Sequence, residues 1–365
     1  LPRAIRAAVS GSDQSELRIV DAILDDPQDH EVIVEVAACG VCHTDLIAKD
    51  AFPSPAVFGH EGAGVVVETG AAVSKVKPGD RVVMTFGSCG QCESCSEGSP
   101  AYCWRHGELN AGGMRMNGDA TIILPNDRTP HAAFFQQSSF ATHALATERN
   151  VVPIHNELPF ELAAPMGCSV QTGVGAVVNQ FKLKAEKSVA VFGAGAVGLC
   201  AVMAAKMVGV ETIVVVDPNK KRLTLAETLG ASLVFDPSVA KLPQQIKDQT
   251  NGGVHYSIDA AGQASSFKAA IEALRPRGVC GVMAPPGPWG ADVAHPGGAA
   301  MMFTTLKGLV EGDSDPDHFI PQLEGWILQG ALPIERIIKK FPFTDINDAL
   351  AAVRNGTAVK PVLTF

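Results

Sequence analysis

The 365-residue sequence has no run of about 18 uncharged apolar residues, so a membrane-spanning helix is not expected. Its opening stretch, LPRAIRAAVSGSDQSE, lacks the apolar core of a secretory signal, and an intracellular, cytoplasmic protein is expected. Charged residues are scarce at 18%, and basic ones scarcer: 29 Lys and Arg against 38 Asp and Glu leave a net charge of -9 without long runs of either sign. Such a surface disfavours a polyanion partner such as DNA. Internal repeats and low-complexity segments are also missing, which excludes solenoid and fibrous architectures.

What is present is turn chemistry and apolar residue. Thirty-six glycines and 24 prolines in a chain that is 46% hydrophobic describe a compact globular protein, and at about 150 residues per domain the length predicts two domains. Short β-rich runs at 31–36 and 62–67, separated by Gly and Pro turns, predict an irregular β domain. From Lys187 the pattern becomes strand 188–192, helix 194–208, strand 212–216 and helix 220–229, the βαβ rhythm of a parallel sheet. Apolar runs at 232–235, 256–259, 279–283 and 307–310 complete a six-stranded doubly wound α/β sheet of the Rossmann type. The remaining C-terminal stretch is too short for a domain. It is assigned, with a helix over 319–329, back to the first domain, giving 1–169 with 310–365 around a second domain of 170–309.

Nine cysteines is an odd number, and four of them crowd into 89–103, which suits metal ligation in a reducing compartment better than disulfides. Cys89, Cys92, Cys95 and Cys103 follow the spacing C-x2-C-x2-C-x7-C: three thiolates on a tight loop, with a longer return for the fourth. Four thiolates close a zinc tetrahedron with no open position, the mark of a structural site. An iron–sulfur cluster and ordinary buried cysteines are the alternatives. A second, dispersed set consists of Cys42, His60 and Cys168, a Cys2His combination that leaves one zinc position open for catalysis.

Gly193-Ala-Gly195-Ala-Val-Gly198 follows an apolar strand and opens a helical pattern. In that context Gly193 permits the turn, Gly195 lets backbone approach a pyrophosphate, and Gly198 allows close helix–strand packing. Asp217 ends the next strand, where a carboxylate accepts ribose hydroxyls and repels a 2′-phosphate, favouring NAD over NADP. An open zinc beside a nicotinamide is a coherent pair, since the metal polarises an alcohol and the cofactor takes hydride.

With GVCHTDL at 40–46, GHEGAG at 59–64, CGQCESC from 89, FFQQSSFATHAL at 134–145, GCSVQTGVGA at 167–176 and FGAGAVGL at 192–199, the chain resembles the zinc-dependent medium-chain alcohol dehydrogenases along essentially its whole length. Within them it is most similar to the bacterial aryl-alcohol dehydrogenases. The resemblance implies a GroES-like catalytic domain joined to the Rossmann domain, two zinc ions per chain, NAD, and a small alcohol or aldehyde substrate. It also implies a homodimer or homotetramer, with no nucleic-acid or membrane partner. It further implies that Cys42, His60 and Cys168 hold the catalytic zinc, with Glu61 as the adjacent carboxylate that can approach the zinc when water or substrate leaves, and Asp45 orienting the histidine. Thr44 would bond the substrate oxygen and begin a proton relay. His43 and Lys360 would lie near the cofactor pyrophosphate and Arg222 near the adenosine ribose, while Phe134 and Phe135 would line the substrate pocket. A departure lies at Ile47, where many animal members place a relay histidine, so the last proton step falls to water, His43 or another group. Two rivals are kept: a glutathione-dependent formaldehyde dehydrogenase, and a zinc-ribbon interaction module built on the 89–103 lobe.

Overall fold

The computed structural model describes residues 2–11, 16–125, 128–283 and 303–365. Its internal contacts divide the chain into two compact units, one comprising Leu1–Cys168, Ser314–Leu328 and Ile334–Phe365, the other Ser169–Asp313 and Gln329–Pro333.

In the first unit, strand Glu31–Gly40 is buried on both faces because alternate residues point to opposite sides. Val32, Val34 and Val36 join a core with Phe58, Phe134 and Phe140, while Ile33 joins another with Ile5, Leu24 and Leu145. Strand Glu61–Thr69 runs antiparallel beside it with Gly40 opposite Glu61, and on the other side strand Lys360–Thr364 pairs with Val362 opposite Gly40. Three strand ends therefore meet at one point. Cys42 lies two residues past the first, His60 immediately precedes the second, and Lys360 opens the third. A slip of one residue in either pairing would turn every side chain of a strand to the wrong face, so the apolar alternation that sets the register also sets the site. Among the described residues this sheet continues through Arg81–Met84 to Val151–Pro153 and, beyond Lys360–Thr364, to Ile338–Pro342.

The second unit is a parallel sheet in which Ser188–Phe192 lies between Thr212–Val216 and Val254–Asp259. Leu233–Phe235 flanks one side, and Leu274–Val282 then Thr305–Gly308 the other, giving six strands among the described residues in the order 3-2-1-4-5-6. That is the doubly wound order with its switch point beside the first strand.

Several boundaries differ from the sequence expectations for physical reasons. The helix expected from 194 is Ala196–Met207, because Gly195 is extended (φ -78°, ψ -171°) and serves as its N-cap. The strand expected over 279–283 is Leu274–Val282, its first half hidden by the polar sequence LRPRG. The strand expected over 307–310 is Thr305–Gly308, wholly exposed at the sheet edge and thus without an apolar signature. The C-terminal helix is Pro316–Leu328.

Candidate metal centres and nucleotide loop

Cys42 caps helix His43–Ala51 in extended conformation, and its N–H donates to Asp45 Oδ2 at 2.9 Å. The other oxygen, Oδ1, accepts the Gly59 N–H at 3.1 Å and lies 2.9 Å from His60 Nδ1. Gly59 has φ +91°, and a Cβ there would stand 2.5 Å from the Phe140 amide, so the turn delivering His60 tolerates no side chain. Because an ionised carboxylate can only accept, His60 must carry its proton on Nδ1. Its Nε2 lone pair is then buried without a hydrogen-bond partner among the described residues. Around it, one donor atom each of Cys42, His60, Glu61 and Cys168 lie within 4.8 Å of one another. A buried, unsatisfied imidazole nitrogen facing two sulfurs is costly alone and is the arrangement a zinc ion satisfies. The Cys42 thiol is pushed well below its ordinary range, first by the hydrogen bond from Cys168 and further by the Lys360 charge, against the cost of burial.

His60 and Glu61 are 0% exposed, and Lys360, at 1%, donates to both Glu61 oxygens at 2.9 Å and to Val41 O at 3.3 Å. Burial alone would lower the ammonium pKa, but the Glu61 charge reverses this and raises it. Lys360, expected near a cofactor pyrophosphate, is buried and paired with Glu61 of this donor cluster. Thr44 Oγ1 stands 3.6 Å from Cys42 Sγ, on the same helical turn, while His43 is exposed and Ile47 is 43% exposed.

Of the two phenylalanines expected at a substrate pocket, Phe134 is 2% exposed and packed edge-on both to Phe58 and, at 5.5 Å, to His60. Phe135 lays its ring nearer, 4.6 Å from His60 and tilted by 30°. Its backbone is left-handed (φ 50°, ψ 33°), a conformation costing a non-glycine residue about 1 kcal/mol. Asn150 Nδ2 holds it by donating to the carbonyls of Phe135 and Gln136. Sequence reasoning passed over Gln137, which bonds His60 O, Thr85 O and the Gly62 N–H and so ties the His60 strand end to its neighbour. Two adjacent glutamines inside the apolar FFQQSSF run were the available signal, since a buried amide must be fully bonded.

Cys89, Cys92, Cys95 and Cys103 converge with sulfurs within 4.8 Å, Cys89 and Cys95 being 4.0 Å apart. Sulfurs bound to one zinc at about 2.3 Å are separated by about 3.8 Å, so this cluster fits the ion. Backbone N–H groups of Gln91 and Cys92 donate to Cys89 Sγ, and chiefly the first of these pulls its pKa down to about 6. Cys39, Cys200 and Cys280 are buried elsewhere.

In the second unit Gly193 turns at φ +100°, and a Cβ on Gly198 would sit 1.9 Å from Gly193 O, so the helix packs on the loop only through glycine. A Cβ on Gly195 would meet nothing, leaving open space at a helix N-terminus with no side-chain cap. These are the features of a pyrophosphate cradle. Asp217, expected as a ribose acceptor, is already engaged: Oδ2 accepts the Ala194 N–H at 2.7 Å and Oδ1 the Asn219 N–H at 2.8 Å. Each oxygen keeps a second lone pair. Arg222 is half-buried in the first turn of helix Lys220–Leu229, which Asn219 caps.

Comparison with known proteins matches residues 28–156 to the alcohol dehydrogenase GroES-like domain and residues 196–324 to the zinc-binding dehydrogenase domain. The chain is 41% identical over 345 residues to a geraniol dehydrogenase of Castellaniella defragrans, covering 93% of this chain and 92% of that one. It superposes on a crystal structure of benzyl alcohol dehydrogenase from Acinetobacter calcoaceticus with a TM-score of 0.93 at 36% identity, covering 100% and 99% of the two chains. An S-(hydroxymethyl)glutathione dehydrogenase of Paracoccus denitrificans is more distant, 29% identical with 99% of each chain covered.

Proposed function

The chain belongs to the zinc-binding alcohol dehydrogenases, and from that premise we propose that it reversibly oxidises primary benzylic or allylic alcohols to aldehydes with NAD as acceptor. The observation that carries the reading is His60 Nε2, buried and unsatisfied beside the sulfurs of Cys42 and Cys168. We assign those three residues as ligands of the catalytic zinc and the four cysteines at 89–103 as ligands of the structural one. Zinc held by the Cys2His set supplies Lewis acidity that lowers an alcohol pKa, and NAD supplies the hydride acceptor.

The protein's own groups do the rest. Asp45 fixes the His60 tautomer and strengthens it as a donor. Lys360 engages both Glu61 oxygens, which leaves three ligands and an open fourth position. Thr44 Oγ1 accepts the hydrogen bond of the substrate hydroxyl and starts its proton on the way to solvent. Ile47 cannot carry a proton, so water or the exposed His43 receives it. Phe135 offers its ring to the flat group of the substrate. The Gly193–Gly198 loop and Asp217 hold the dinucleotide, with Arg222 beside the ribose. The substrate class is supported by the names of the geraniol and benzyl alcohol relatives and by Phe135; the formaldehyde dehydrogenase reading rests on the more distant relative.

Thr305–Gly308 is an exposed sheet edge carrying Leu306, with Phe303 59% exposed just before it, and this supports a homo-oligomer. Two thiolate clusters need a reducing compartment, which supports the cytoplasm; among the described residues no helix is long and apolar enough to cross a membrane. An assay of benzyl alcohol, geraniol and S-hydroxymethylglutathione with NAD, followed by NADH absorbance, tests the proposal. Turnover of the first two should dominate; turnover of the glutathione adduct alone would replace it with the rival.

A further inference from the structure

The amino ends of the parallel strands, opposite the glycine-rich loop, carry a group of cations that the dehydrogenase chemistry does not use. A pocket of about 330 Å3 opens there, lined among others by Lys187, His255, Arg275 and Arg277. It is created by a bulge. Val254 pairs with Leu274 and Tyr256 with Val279, so the single residue His255 stands opposite the four residues 275–278. Bulges of this kind re-aim side chains, and this one brings Arg275 to His255 and sets Arg277 on the wall of the same pocket. Arg277 adopts φ +66° to do so.

The hydrogen bonding around His255 does not close on itself. The Ser188 backbone N–H points at Nδ1 at 3.1 Å, and Ser188 Oγ, which can accept or donate, lies 2.9 Å from the same nitrogen. The tautomer that accepts the Ser188 N–H carries its proton on Nε2. Yet Nε2 lies 3.0 Å from Arg275 Nη1, and a guanidinium is a donor only. Protonating the ring would worsen the conflict, and burial together with the charges of Arg275 and Lys187 holds His255 below its ordinary pKa. Arg275 cannot swing away freely, since its Nε and Nη2 are tied to the carbonyls of Gly253 and Asn251. In that tautomer two donors, Nε2–H and Arg275 Nη1–H, face each other at 3.0 Å. Lys187 and Arg277 stand beside them, and among the described residues neither side chain has a hydrogen-bond or ion-pair partner. Glu186 is the carboxylate whose charge reaches the ring.

We propose that this pocket is a binding site for a phosphate-type oxyanion, whose oxygens accept from both His255 Nε2–H and Arg275 Nη1–H and whose charge is met by Lys187 and Arg277. One acceptor resolves the donor conflict, and charge-assisted bonds of this kind are the strong ones. The site is separate from the cofactor pyrophosphate cradle, because strand Ser188–Phe192 spans about 16 Å between the two.

Inorganic phosphate titrated calorimetrically into NAD-saturated enzyme, in a zwitterionic buffer, tests this with the cradle already filled. One saturable site per chain is expected, weakened at least about tenfold by the double variant Lys187→Gln/Arg277→Gln, a loss of about 1.4 kcal/mol. Arg277 is exposed and Lys187 half-buried, and neither side chain is hydrogen-bonded among the described residues, so the variant should keep the parent melting temperature and alcohol turnover. Glycerol 3-phosphate binding more tightly than inorganic phosphate would identify the occupant as a phosphomonoester, and equal binding would identify the free ion. No saturable binding, or binding that the double variant leaves unchanged, overturns the proposal.

Discussion

The smallest unit that decides chemistry here is a pair of atoms, Asp45 Oδ1 and His60 Nδ1, 2.9 Å apart. Their bond selects the tautomer that leaves Nε2 facing the sulfurs. Asp45→Asn keeps the shape but removes the charge and lets either amide atom face the ring, so zinc affinity should fall about 10–100-fold, read by competition with a chelator. Wild-type affinity in this variant would show that the tautomer is set elsewhere. Thr44 is a separate case, since its hydroxyl touches no zinc-site carboxylate. Thr44→Val should retain zinc content while turnover drops by about 10²–10⁴-fold, as for a positioned acid–base group. Near-full activity in that variant would dismiss the relay. His131 illustrates how burial makes a residue titrate. Its ring stacks on Phe52 at 4.8 Å, and desolvation holds its pKa below the ordinary 6.5. The unfolded chain therefore binds more protons than the folded one below about pH 6.5, and stability contributed by neutral His131 is present above that pH and lost as pH falls further. His131→Phe should lose less stability between pH 7 and pH 5 than the parent, as measured by urea midpoints; an equal loss would assign the acid sensitivity to other groups.

At the scale of elements, the loops matter more than the strands they join. The 89–103 lobe has a four-residue α-helix, a single 3-10 turn at Pro100–Tyr102 and little apolar core, so its cysteines and their ion replace packing. Cys92→Ser should lower zinc from two ions per chain to one in metal analysis and reduce the melting temperature, with turnover per remaining folded molecule largely kept. Iron in place of zinc, or two zinc ions retained, would contradict the assignment. The glycine-rich loop is held by Asp217 through the Ala194 N–H, which gives that carboxylate two duties. Asp217→Gly should shift preference toward NADP, since repulsion of the 2′-phosphate is gone, but it should also weaken both cofactors, since the loop loses its anchor. Ratios of kcat/KM for NAD and NADP separate the effects: a changed ratio without a common loss would leave the anchor without function.

For the whole molecule, the two compact units distribute the work. All the proposed zinc ligands belong to the first, and the dinucleotide loop belongs to the second. The C-terminal strand Lys360–Thr364 returns to the first unit's sheet, which is why a residue near the end of the chain reaches Glu61.

The sequence by itself determined the doubly wound sheet, the two clusters of metal donors and the glycine-rich turn, because each depends on short-range spacing: period-two burial, cysteines a few residues apart, glycines where a Cβ would collide. It could not assign duties that depend on partners distant in the chain. Spacing does not show that Lys360 is a buried partner of Glu61, nor that both Phe134 and Phe135 set their rings against His60. Nor does spacing show the partners of Gln137 or the 275–278 bulge. In each case the deciding quantity was a hydrogen bond or a ring contact between strands that only the tertiary register brings together, and register is a property of the whole sheet.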